Sequence, residues 1–100
     1  MDVKCNWLQA VKGEVKQLSM EGIKECLKGD KLQVVVVSEH TLGCDNARFY
    51  VEKVLNELGL AEAVIKMSHS KLELYSGLTF YFVTQSSECA GLQFDMAFVA

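Results

Sequence analysis

Seven residues in one short stretch concentrate the polar chemistry of this chain: Ser38, His40, Thr41, Gly43, Cys44, Asn46 and Arg48. They follow the run Val34-Val35-Val36-Val37 and precede an apolar-periodic segment, so they read as the loop between a strand and a helix. Open α/β sheets bind ligands beyond the carboxyl ends of their strands, where helix N-termini offer free amides and a positive dipole end. This loop is therefore the candidate binding site, suited to a nucleotide or another anion. Cys44, at or just before the expected helix start, is placed for a lowered thiol pKa. His40 is placed to act as its base. The plainer reading of the same residues is that Asp45 caps the helix, Cys44 packs inward and His40 is solvated. No third group that would orient a Cys/His pair is visible, so no catalytic residue is assigned.

The motifs of better-defined chemistry are absent. A phosphate loop of the Walker type needs glycine amides and a lysine in G-x-x-x-x-G-K-[ST], and no Gly-Lys dipeptide occurs here. No two glycines stand two apart, which excludes the dinucleotide fingerprint. H-E-x-x-H and G-x-S-x-G are missing as well. His40 and Cys44 stand four apart, but no second pair completes a tetrahedral set, and no metal or cofactor is expected. Cys5, Cys26, Cys44 and Cys89 form no C-x-x-C pair and read as reduced thiols of a cytoplasmic protein.

The elements that would position the loop follow from periodicity. Val3, Trp7, Leu8, Val11, Val15 and Leu18 fall on one face of an expected first helix, with Trp7 as a core anchor. A second helix is expected from Met20 to Lys28, capped by Ser19 and stopped by Gly29. Leu32 to Val37 is β-branched without polar alternation, which predicts a strand buried on both faces inside a parallel sheet. The next helix is expected from about Asp45 to Leu58, with Ala47, Tyr50, Val51, Val54, Leu55 and Leu58 on its apolar face and Gly59 as its stop. Ala63 to Met67 and Lys71 to Tyr75 flank Ser68-His69-Ser70 as a hairpin, and Ser76-Gly77 turns into a strand from Leu78 to Thr84. Phe94 to Val99 reads as a last strand. The expected fold is one α/β domain over residues 1–100: N-terminal helices and a mixed, mainly parallel sheet with a βα unit and a C-terminal β-hairpin.

From Leu32 to Ala100 the chain resembles part of the ATPase lobe of phage terminase large subunits and helicases. In that family a hairpin with the pattern nGs-x-i-x-f leads to rG-l-x-f-D-x-v-x-v-D-E. Ser76-Gly77, Phe80, Phe82, Gly91, Leu92, Phe94 and Asp95 match those positions. The departures are informative. The family's arginine is Ala90 here, and its magnesium-binding Asp and catalytic Glu would follow Val99, where Ala100 stands. The resemblance thus implies a degenerate, phage-encoded lobe that cannot position Mg²⁺-ATP, with Asp95 structural.

Composition narrows the function classes. The chain of 100 residues has a net charge of -3, is 50% hydrophobic and contains no proline. Disorder requires low hydrophobicity and high net charge. Coating nucleic acid requires an excess of Lys and Arg that is lacking here. No apolar run approaches the roughly 20 residues of a membrane-spanning helix. The leading expectation is a non-catalytic interaction or regulatory module that binds a protein partner or self-associates, since so apolar a small chain leaves surface to cover. A small nucleotide- or anion-binding enzyme using the Ser38–Arg48 loop is the second expectation. A nucleic-acid-associated accessory protein is the third.

Overall fold

A computed structural model describes residues 10–29, 32–85 and 93–100. Among these residues a mixed sheet of six strands forms the core, with two helices packed against one of its faces. In chain order the elements are β1 (Val15–Gln17), α1 (Met20–Leu27), β2 (Gln33–Ser38), α2 (Thr41–Glu57), a 3-10 turn (Ala61–Ala63), β3 (Val64–Met67), β4 (Lys71–Leu74), β5 (Thr79–Thr84) and β6 (Met96–Val99). Across the sheet they stand in the order β1-β6-β2-β5-β4-β3. β1, β6, β2 and β5 run parallel, while β4 is antiparallel to both β5 and β3.

The valine run behaves as its composition dictates. β2 lies between β6 and β5, with Val34 level with Met96 on one side and Phe80 on the other. Val34 and Val36 face α1 and α2, among Ile23, Cys26, Ala47, Val51, Leu55 and Phe98. Val35 and Val37 face the opposite layer with Ala10, Phe94 and Ala97. All four valines are fully buried. Tyr81 meets Phe94 edge to face at 5.5 Å on that second side, the geometry that aromatic quadrupoles favour. At the amino end of β2, Gln33 N–H donates to the Asp95 carboxylate at 2.7 Å, while Asp95 N–H donates to the Gln33 carbonyl at the same distance. Asp95 is a structural clasp between β2 and β6.

Ala10 is helical, but the expected first helix does not continue beyond it to Leu18. Residues 3, 7 and 8, including Trp7, lie outside the described residues, but Val11 bridges Phe94 and Val15–Gln17 forms β1 against β6. Apolar residues four apart satisfy a helical pattern, yet Val11 and Val15 also alternate with period two through Gly13. Gly13 lies against the backbone of Asp95, where a Cβ would collide with its carbonyl oxygen. Pairing with β6 therefore overrides the helical spacing. The second helix forms as expected, and the Ser19 hydroxyl accepts from Gly22 N–H at 3.1 Å.

The α2 helix begins at Thr41, four residues before the expected Asp45. The strong capping chemistry of Asp45 pointed to the wrong start; His40 is the N-cap residue and its side chain makes no capping bond. At the far end Gly59 takes φ +74, a left-handed conformation that a residue with a Cβ rarely adopts. The hairpin of β3 and β4 and the Ser76-Gly77 turn form as expected, with Gly77 N–H donating to the Leu74 carbonyl at 2.9 Å. Tyr75 stands exposed in that turn. No helix among the described residues is long and apolar enough to cross a membrane.

Candidate functional site

Because β1, β6, β2 and β5 are parallel, their carboxyl ends share one rim of the sheet. Only Glu39 and His40 separate β2 from α2, so the helix rises directly from that rim. Its first turn splits the expected loop into two environments. On one side a cleft of about 530 Å³ is lined by Ser38, His40, Gly43 and Asn46, together with Gln17, Leu18, Leu42, Tyr50 and Ala100. On the other, a cleft of about 350 Å³ holds Thr41, Cys44 and Asp45 beside His69, Ser70 and Thr84. Thr41, Gly43, Cys44, Asn46 and Arg48 thus belong to the helix, not to a loop.

The structure brings Ser38, His40, Gly43 and Asn46 together and separates the rest. His40 and Cys44 open on different clefts, so the expected Cys/His couple does not assemble. Burial raises the Cys44 thiol pKa, the reverse of the lowering expected at a helix start. The Ser38 hydroxyl lies beside that sulfur and favours the thiolate, but burial outweighs it. Ser38 Oγ is itself buried. Cys26 is shifted the same way, its thiol pKa raised from 9.0 to about 11 mainly by burial, while it donates to the Met96 sulfur at 3.1 Å.

Arg48 lines neither cleft. Its guanidinium lies 3.8 Å from Asp45 and 3.6 Å from Glu52, with its central carbon 4.8 Å from the centre of the Phe49 ring. The helical spacing explains this: three and four residues bring the partners onto one face, and the charge is used along the helix instead of at its N-terminus. Among the described residues no three of His, Cys, Asp and Glu converge in a way that could hold a metal ion.

Tyr50 and Leu42 were not recognisable as cleft residues. Tyr50 carries the helical spacing of a core position, yet α2 is rotated so that it sits at the margin of the core, partly exposed. Gln17 and Leu18 reach the site only because β1 joins β6, a pairing that the local pattern conceals. Leu42 projects into solvent with 70% of its surface exposed, and Phe49, two turns later, with 57%. No family model, curated protein or solved structure matches the chain.

Proposed function

We propose that the chain is a non-catalytic interaction or regulatory module that docks a protein partner through the outer face of α2. The observation that carries this reading is the exposure of Leu42, Phe49 and Tyr50 along one helix. Leu42 and Phe49 are seven residues apart and so occupy nearly the same side of the helix. Two of the three residues also line the larger cleft, which joins the apolar stripe to a concave surface. A partner that inserts apolar side chains there gains roughly 25 cal/mol for each Å² of apolar surface removed from water. The terminase and helicase resemblance belongs to the same proposal, with the sheet retained as a scaffold for binding. An origin in a phage is part of that reading.

A second reading is favoured by β3. Among the described residues this strand pairs with β4 alone and stands at the edge of the sheet, with Ile65 and Met67 exposed. Such an edge can pair with a second copy. Lys66 between the two apolar residues works against that pairing, so the α2 face ranks first. The test compares the wild-type chain with the double variant Leu42→Glu, Phe49→Glu in partner capture and in light scattering across concentration. Loss of the complex with an unchanged circular dichroism spectrum supports the α2 face; retention of the complex contradicts it.

A further inference from the structure

We infer that the open edge of β3 captures an extended peptide in which two apolar residues flank an acidic one. The inference rests on the interaction-module reading and gives the sheet edge an occupant other than a second copy. Ser68 N–H donates to the Lys71 carbonyl at 2.8 Å across the hairpin turn. Bonded and non-bonded pairs alternate along an antiparallel ladder, so Met67, opposite Leu72, turns its N–H and C=O away from β4. Those two groups face the open edge, where Ile65, Lys66 and Met67 are all exposed. A peptide strand added antiparallel to β3 satisfies them with main-chain bonds. Side chains directly opposite one another share a face of the sheet. Val64 and Met67 therefore lie on the side of Leu74 and Leu72, which is the side packed against the helices. A groove of about 330 Å³ opens there between β3 and α2, lined by Glu52, Leu55, Asn56, Ala61, Val64 and Met67. It is at the small end of the roughly 300–1,000 Å³ of ligand sites, and suits the side chains of an added strand.

Charge and register select the occupant. Lys66, opposite Glu73, stands on the other face and makes no ion pair among the described residues. An acidic residue set opposite Lys66 is attracted to it. The apolar residues on either side of that acid then both turn into the groove, because side chains alternate along a strand. Glu52 in the groove disfavours an acid there, which fixes the direction in which each peptide residue points. A second copy fits poorly. Paired about Lys66, two β3 strands set like charges opposite each other. Paired about Met67, they bring Ile65 level with His69 in the other copy's turn, beyond the end of the strand. The register also shifts between Val64 and Lys66, and such irregularities limit pairing at a sheet edge. A short acidic peptide escapes the first two constraints and needs little pairing beyond the third.

The test is a two-dimensional ¹⁵N NMR titration of the full chain with the peptide acetyl-Thr-Val-Glu-Val-Thr-amide. Two analogues run beside it: one with lysine in place of the glutamate, and one N-methylated at both valines to block the main-chain bonds. The expected result is saturable shifts centred on Ile65, Lys66, Met67 and Ser68. The lysine peptide should bind about tenfold more weakly, attraction being exchanged for repulsion, and the N-methylated peptide at least as weakly. Lys66→Glu, at an exposed position, is expected to reverse the preference between the glutamate and lysine peptides. Absence of saturable shifts in the folded wild type overturns the site. Equal binding of the glutamate and lysine peptides overturns it too, as does undiminished binding of the N-methylated one. Concentration-dependent shifts of the same residues without peptide would assign the edge to a second copy and overturn the peptide as its occupant. Shifts confined to Leu42, Phe49 and Tyr50 would also overturn it while supporting the α2 face, so the two surfaces fail separately.

Discussion

Ser38 and Gly43 meet where β2 ends and α2 begins: a Cβ on residue 43 would stand 2.9 Å from the Ser38 Cβ. This approach sets the helix directly on the rim of the sheet and gives the larger cleft its floor. Gly43→Ala is therefore expected to destabilise the fold by about 1–2 kcal/mol, overpacking exceeding the helix-propensity gain of alanine. Ser38→Gly opens the space, so the pair should couple, the double variant costing less than the sum of the single ones. Denaturant midpoints of the four proteins measure this; additive effects would remove the contact from the account.

The central strand predicts a larger effect. Phe80 is fully buried beside Val34 in β5, and Phe80→Ala should cost about 3–5 kcal/mol. Against a total stability of about 5–15 kcal/mol for an ordinary domain, that leaves a marginal fold. Urea unfolding followed by circular dichroism should show the loss, and a change below 1 kcal/mol would place Phe80 outside the core.

The thiols give a pH signature. The fold raises the Cys26 pKa from 9.0 to about 11, so it favours the protonated form. That contribution to stability is complete below pH 9 and is lost as pH rises towards 11. Cys26→Ala should flatten this part of the stability profile. In a Cys5→Ser, Cys89→Ser background, disulfide-exchange labelling at neutral pH should be slow for both Cys26 and Cys44 until the chain is unfolded. Rapid native-state labelling of Cys44 would restore the reactive-cysteine alternative.

Arg48 illustrates a residue type whose role depends on where the helix starts. Its ion pairs with Asp45 and Glu52 lie along α2, and Arg48→Met should change stability by about 1 kcal/mol or less. Denaturant midpoints check this, and a clearly larger loss would give Arg48 a role that these two ion pairs do not account for.

How far the residues announced this architecture depends on range. The valine run, the Ser19 cap, Gly59 and the hairpin around Ser68-His69-Ser70 are local signals, and each was legible because neighbouring residues decide the backbone there. β1 was not legible: its pairing partner lies some eighty residues away in β6, and Val11 and Val15 fit a helix as well as a strand. The site was half legible. Ser38, His40, Gly43 and Asn46 do share a cleft, but the earlier start of α2 turns Cys44 to the other side and Arg48 along the helix. Tyr50 looked like core because helical spacing alone cannot tell a buried position from one at the margin.

The most direct test of the interaction reading is site-specific photo-crosslinking from position 49, with position 57 on the same helix as the control. A benzophenone side chain at residue 49 in the full chain, irradiated in an extract of its source and in purified form, should yield one discrete product absent from the position-57 control and abolished by Leu42→Glu. Equal, diffuse labelling from both positions would contradict docking through the outer face of α2.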